Sequence, residues 1–246
     1  MKKLNIYFTA GVPNLEDTGK VAQLIQDSGA DMMEIGIPYS DPVADGPVIQ
    51  DAHILALKNG MTIAKLFTQL LEIKDSVTIP KVLMGYINPV LQFGFENFCK
   101  KCQEVGVSGL IIPDLPAFEF EKQYGEILKK YDINFSFLVT PETSEERIKY
   151  LDSLSSGFLY AVSSSSTTGN ANATLKNDDY LSRLASLNLK NPVYVGFGIK
   201  NKQDFESVTE KLQGGIIGTA FVKILLENKN WKSEASNFVK SILTEV

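Results

Sequence analysis

Histidine, cysteine, long apolar runs and excess positive charge are all scarce in this 246-residue chain. A single histidine, His53, and two cysteines, Cys99 and Cys102, leave too few ligands for a closed zinc site, and no metal site is expected. The cysteines form C-x-x-C within FENFCKKCQEV. This amphipathic helical pattern does not follow a thioredoxin-like strand, so they read as two packed thiols rather than a redox pair. No apolar stretch is long enough to span a bilayer. The opening MKKLNIYFTAG has too short an apolar segment for a secretory signal and lacks a cleavage site. Twenty-four basic residues face 29 acidic ones, for a net charge of -5, and the basic residues are scattered. Without a basic stripe interleaved with aromatics, neither nucleic acid nor an anionic membrane surface is an expected partner. These absences together predict a soluble cytoplasmic protein.

What is present is an alternation. Eight apolar, β-branched runs recur along the chain: LNIYFTA (4–10), DMMEIGI (31–37), KVLMGY (81–86), GLIIPD (109–114), NFSFLV (134–139), GFLYAVS (157–163), PVYVGFG (192–198) and GGIIGTA (214–220). Most are nearly continuous in hydrophobicity, as parallel strands buried on both faces are. Amphipathic helical segments separate them, among them LEDTGKVAQLIQDSG, TIAKLFTQLLEIKDS and SEERIKYLDSLSSG. Eight β-then-α units predict a (β/α)8 TIM barrel, an α/β fold whose crossover helices join parallel neighbours. An open doubly wound sheet usually has fewer strands, and its glycine-rich fingerprint after the first strand is missing. No linker interrupts the pattern, so residues 1–246 read as one domain. The one low-complexity tract, SSSSTTGNAN (163–172), follows the sixth run and reads as a loop. Asn172-Ala-Thr174 is formally a glycosylation sequon, without use in a cytosolic chain.

In such a barrel the active site lies at the carboxyl ends of the strands. The second run enters EIGIPYSDPVADGP, where Glu34 sits inside a strand and Asp41 and Asp45 lie on the loop beyond. An unpaired carboxylate in a core strand is costly unless chemistry needs it. Glu34, Gly36 and Pro38 share one strand face, so Glu34 is placed to face the barrel interior. There its pKa would rise and it could carry a proton near neutrality, while a better solvated carboxylate on the loop stays ionised and orients a substrate donor. The alternative is a Glu34 that pairs with a lysine. A second constellation is the glycine pair at the last two strand ends, Gly196-Phe197-Gly198 and Gly218-Thr219, the latter leading directly into a helix. Glycine backbone and a helix amino terminus suit a phosphate, and loops after strands seven and eight are its usual place in barrels. Thr168-Gly169 could add a donor. These residues define a barrel that binds a phosphorylated small molecule and carries an acid/base carboxylate. Isomerases, aldolases and lyases all fit that description.

EIGIPYSDPVADGPVIQ resembles the strand-two signature of the tryptophan synthase α-subunit family. FTAGVP, MGYINPV, PDLP, GFGI and GTAFVK follow in the family's order from about Ile6 to about Lys223. The resemblance implies reversible retro-aldol cleavage of indole-3-glycerol phosphate to indole and glyceraldehyde 3-phosphate. No cofactor or metal in this chain is implied. It assigns proton transfer between the side-chain hydroxyl and indole C3 to Glu34, and the hydrogen bond from the indole N–H to Asp45, not Asp41. Tyr160 would stand beside the substrate. The indole would lie among Tyr7, Ile49, Met84, Ile111, Pro113 and Phe137, with Thr168 closing a loop over Asp45. The phosphate would rest on Gly169, Phe197, Gly198, Gly218 and Thr219. The implied partner is a pyridoxal-phosphate β subunit in an α2β2 heterotetramer, docked on Pro38, Tyr39, Ser40, Asp41, Pro42 and the Asn88 region, and it receives the indole.

Two departures from the family pattern stand out. Enteric members have an arginine in the loop after strand six, whereas SSSSTTG near Ser164 has no basic residue. Many members also begin with a helix that covers the bottom of the barrel, most of which is lacking ahead of the first run here. The expected consequence is lower stability, since the bottom face carries stability and the top face catalysis. Rival readings are a docking partner with little activity of its own, an autonomous indole-releasing lyase, and another phosphate-binding barrel. A metal-dependent epimerase of that last kind is disfavoured by the lack of a His/Asp cluster.

Overall fold

The computed structural model describes residues 2–163, 171–196, 198–227 and 229–244. Among them, nine strands form one parallel sheet: β1 Lys3–Thr9, β2 Met32–Gly36, β3 Lys81–Met84, β4 Gly109–Ile111, β5 Asn134–Phe135, β6 Leu138–Val139, β7 Leu159–Val162, β8 Val193–Gly196 and β9 Gly214–Ile217. Their order is β5-β4-β3-β2-β1-β9-β8-β7-β6. The two end strands, β5 and β6, are halves of the single apolar run 134–139. The first half pairs with β4 and the second with β7. Between them, Ser136 N–H donates to Leu110 O at 3.1 Å and Phe137 O accepts from Tyr160 N–H at 2.9 Å. One extended segment thus touches both neighbours in turn, and the sheet curls into the TIM-barrel-like arrangement that the eight runs predict.

Alternation along each strand creates two cores. On β1, Leu4, Ile6 and Phe8 face the helices and are fully buried, while Asn5, Tyr7 and Thr9 face inward. The interior cluster contains Val82, Ile111, Phe158, Tyr160, Tyr194 and Ile216. Phe158 stacks on Tyr194 with centroids 4.7 Å apart and fills the amino-terminal end of the barrel. Two interior tyrosines require glycine on the next strand. The Tyr7 ring lies over Gly36 and the Tyr160 ring over Gly196, and a Cβ at either glycine would collide with the ring hydroxyl.

The helices are α1 Thr18–Asp27, α2 Pro47–Lys58, α3 Ile63–Glu72, α4 Ile87–Phe93, α5 Phe95–Glu104, α6 Ala117–Glu119, α7 Gly125–Lys130, α8 Glu145–Leu154, α9 Ala171–Ser186, α10 Lys202–Thr209, α11 Thr219–Glu227 and α12 Trp231–Leu243. None of them is long and apolar enough to cross a membrane. Helices α2 and α4 are additions to the sequence reading. The buried stripe of α2 is Ile49, Ala52, His53 and Ala56, whereas Ile54 and Leu57 are exposed. Small residues and a histidine on the inner face, with aliphatics outside, erase the usual amphipathic pattern. The eighth run also ends sooner than its apolar residues suggest, because α11 starts at Thr219. Cys99 and Cys102 lie on the buried face of α5. Burial pushes the Cys99 thiol up to about 12 and Cys102 well above its ordinary value, which leaves both unreactive near neutrality.

Candidate active site

At the carboxyl ends of the strands opens a cavity of about 790 Å³. Tyr7, Asp45, Ile49, Met84, Tyr160, Gly198, Gly218 and Thr219, all singled out from the sequence, line it together. Residues from β1, the loop after β2, α2, the end of β3, β7, the loop after β8 and the start of α11 therefore converge on one space.

Glu34 lies deeper and has no accessible surface. Its register partner on β1 is Tyr7, which lines the cavity. One carboxylate oxygen, Oε1, accepts a hydrogen bond from Asn5 Nδ2 at 2.6 Å. The other, Oε2, is buried without a hydrogen-bond partner among the described residues. Burial raises the carboxyl from 4.5 to about 8, against the opposing effect of the Asn5 bond. At pH 7 the side chain is therefore mainly a carboxylic acid. Burial also raises the Tyr7 and Tyr160 hydroxyls, and the nearby carboxyl groups of Asp45 and Glu34 add to this, so both stay protonated.

Asp45 reaches the cavity from the loop between β2 and α2. Tyr86 donates its hydroxyl to Asp45 Oδ2 at 2.7 Å and accepts from Ala44 N–H at 3.0 Å. His53 Nδ1 accepts from Tyr39 N–H at 3.1 Å, so the ring proton sits on Nε2. That nitrogen lies 3.5 Å from Asp45 Oδ2 and has no hydrogen-bond partner among the described residues. Asp41, in contrast, is exposed, and its carboxylate accepts from neighbouring Ser40 Oγ at 3.1 Å. Tyr86, His53 and Asn5 were not singled out by sequence. Each reads as ordinary packing until the strands bring it beside a carboxylate.

Not all the sequence assignments converge. Ile111 belongs to the interior cluster, and Pro113 lies half-buried beyond β4. Phe137 faces the opposite way. Its ring packs on Phe120 and Phe135, with centroids 5.1 and 4.7 Å away, in the layer between sheet and helices. The inward residue of that run is Leu138, which packs against the interior cluster. A shift of one residue moves a strand side chain to the other face, so Phe137 does not face the barrel interior and Leu138 does. Thr168, Gly169 and Phe197 lie outside the described residues. Of the docking loop, Pro38 and Tyr39 are half-buried and Ser40 and Asp41 are exposed, but Pro42 is buried and shapes the loop from inside. Neighbouring Val43 is exposed in its place. Asn88 is exposed and donates to Tyr39 Oη at 3.4 Å, so the two proposed docking segments adjoin.

At the opposite wall, α11 begins at Thr219, with Val222 N–H donating to Gly218 O at 2.9 Å. The preceding N–H groups of the first turn have no acceptor within the helix and suit an anion. Lys200 and Lys223 line the same wall, two cations that the glycine-based reading did not include.

The geometry defines a class: a barrel lyase or isomerase with a buried acid/base carboxylate, a second carboxylate at the mouth and an anion-binding helix start opposite. The family profile described as "Tryptophan synthase alpha chain" matches residues 2–245. The chain is 51% identical over 242 residues to the tryptophan synthase alpha chain of Flavobacterium psychrophilum, covering 98% of this chain and 95% of that one. It is also 51% identical to the alpha chain of Christiangramia forsetii, covering 98% and 94%. The solved tryptophan synthase A-subunit of Pyrococcus furiosus superposes with a TM-score of 0.90 at 34% identity, covering 98% of this chain and 97% of that one. The chain belongs to the tryptophan synthase alpha chain family. It is a lyase of tryptophan biosynthesis that cleaves indole-3-glycerol phosphate reversibly to indole and glyceraldehyde 3-phosphate. The family pairs with a β subunit.

Proposed function

We propose that Glu34 is the proton carrier of this cleavage and Asp45 the group that steadies the charge on the indole ring. The observation that supports this most is a fully buried carboxyl held mainly protonated at pH 7, with one oxygen unpaired, directly beneath the cavity. Protonated Glu34 gives its proton to indole C3. The ring nitrogen becomes positive, and its N–H donates to the Asp45 carboxylate. The Glu34 carboxylate then takes the proton of the hydroxyl on the carbon attached to C3. As that O–H bond breaks, a C=O bond forms, the C–C bond to the ring breaks, and its electron pair neutralises the ring. Indole and the aldehyde leave with Glu34 protonated again. Met84, Ile49, Ile111 and Leu138 supply apolar surface for the ring, and Tyr7 and Tyr160 its flanks.

The phosphate sits at the start of α11, on Gly218, Thr219 and Gly198, with Lys200 and Lys223 nearby. Gly198 has φ of +85°, so any side chain there strains the backbone and confuses the test. Gly218 is the cleaner position, because an added Cβ would meet Tyr7 atoms no closer than 3.5 Å. Gly218→Asp is expected to raise KM for indole-3-glycerol phosphate and Ki for glycerol phosphate at least about tenfold by like-charge repulsion. Unchanged values would remove the phosphate from this wall.

The β subunit docks on Tyr39, Ser40, Asp41 and Asn88, carries the pyridoxal phosphate and receives the indole. Tyr39 ties this loop to the site, since its N–H holds His53 and its ring lies 5.2 Å from that of Tyr86. Slow indole release by the purified chain, stimulated severalfold by a cognate β subunit, is the expected result. Fast release that the partner leaves unchanged would identify an autonomous lyase instead.

A further inference from the structure

The contact between Asn5 and Glu34 is a short hydrogen bond between two fully buried side chains, and no described part of the site besides Glu34 uses Asn5. Both side chains are fully buried, and Asn5 Nδ2 donates to Glu34 Oε1 at 2.6 Å. Asn5 sits on β1 two residues before Tyr7, one layer further from the cavity, so it grips the carboxyl from below. Its own Oδ1 is buried and has no hydrogen-bond partner among the described residues. A buried amide with an unpaired oxygen is costly to keep, and an aliphatic residue would fill the same place on a strand without that cost. We infer that Asn5 is a positioning residue for Glu34: it holds one carboxyl oxygen at the barrel floor, leaves the other for the substrate, and favours the ionised form that must exist midway through the cycle.

This rests on the reading of Glu34 as the proton carrier. The cycle needs Glu34 in two states, an acid for C3 and a base for the hydroxyl. Burial favours the acid strongly, and a donated N–H is the opposing influence. Among the described residues, the other titratable groups around Glu34 are Tyr7 on β1, Tyr160 at β7 and Asp45 across the mouth. The tyrosines stay protonated, and the causes that act on the Glu34 carboxyl are burial and the Asn5 bond, with no contribution from Asp45. Tyr194, from β8, lies deeper, towards Lys3 and Asp31. Asn5 is thus the one described group that hydrogen-bonds to the carboxyl.

Asn5→Leu tests this, with Asn5→Ser as a second variant that keeps a polar side chain but shortens the donor beyond reach. Two readouts apply. One is titration of the Glu34 carboxyl, followed by its infrared C=O stretch against an E34Q background. The other is the pH profile of kcat/KM for indole-3-glycerol phosphate. Both variants are expected to move the carboxyl titration and the basic limb up together by about one pH unit. At pH 7, kcat is expected to fall about tenfold with KM little changed, because Asn5 does not touch the substrate. A titration and basic limb that stay in place in folded variants would overturn the inference. A titration that moves while the basic limb does not would support the role of Asn5 and refute that of Glu34 as proton carrier.

Discussion

Glu34→Gln is expected to lower indole release at least about a hundredfold and, at pH 8, to make the protein more stable. The loss of rate follows from chemistry. A carboxamide can accept the Asn5 hydrogen bond and fill the same volume, but it cannot give a proton to C3 or take one from the hydroxyl. The gain in stability follows from linkage. In the unfolded chain the carboxyl ionises near 4.5, while in the folded protein it holds its proton to about 8. Below pH 4.5 both forms are protonated and the buried acid costs nothing extra. Between 4.5 and 8 the unfolded state loses its proton and the folded state does not, so stability falls as pH rises and the loss is complete above about 8. The full cost is on the order of a few kcal/mol. Glutamine is neutral throughout and escapes it. The melting-temperature difference between variant and wild type should be small at pH 4 and widen steadily to pH 8, by several degrees for a chain of this size. A difference that does not vary with pH would show that Glu34 is not held protonated. Turnover above about a tenth of wild type would remove it from acid/base work.

The same trade-off explains what could be read from the sequence. Glu34 stood out because it breaks a rule, a carboxylate inside a strand that should be apolar on both faces. The strand-end glycines stood out because backbone features leave a direct trace in residue type. The eight-run rhythm was legible because parallel strands are continuous apolar stretches. Residues whose role depends on contact between distant segments were not legible. Asn5 and Glu34 are 29 positions apart, and Tyr86 and Asp45 are 41 apart. No local pattern marks such pairs, which meet only through strand register and loop path. Phe137 failed for a related reason. In a run such as NFSFLV both faces are apolar, so hydrophobicity cannot say which residue faces inward. The hydrogen bonds that close the barrel decide it for Leu138. Helix α2 escaped notice because its inner face has only one large apolar residue, Ile49, beside two alanines and His53, while Ile54 and Leu57 face outward.

Asp45→Asn is expected to cost about 10²–10³ in kcat/KM with the fold intact. The mouth position makes the loss chemical, since Asp45 sits on a loop and anchors no strand. Two things are lost at once. The negative charge that faces the developing positive ring disappears. The remaining acceptor is also claimed by another group. Tyr86 accepts from Ala44 N–H, so its hydroxyl proton points at position 45, and His53 Nε2 lies 3.5 Å from the same carboxylate oxygen. An asparagine therefore turns its oxygen toward the Tyr86 hydroxyl and presents its NH2 to the indole N–H, donor against donor. Removing the tyrosine hydroxyl should relax that preference. Tyr86→Phe alone is expected to cost less than Asp45→Asn, and the double variant to lose less than the product of the two single losses, because the amide is freer to turn its oxygen to the substrate. The measurement is kcat/KM for indole release in all four proteins, with glycerol phosphate affinity as the control that should not move. A strictly multiplicative double variant would show that Tyr86 does not orient residue 45. A fully active Asp45→Asn would show that the ring nitrogen is met by some other group.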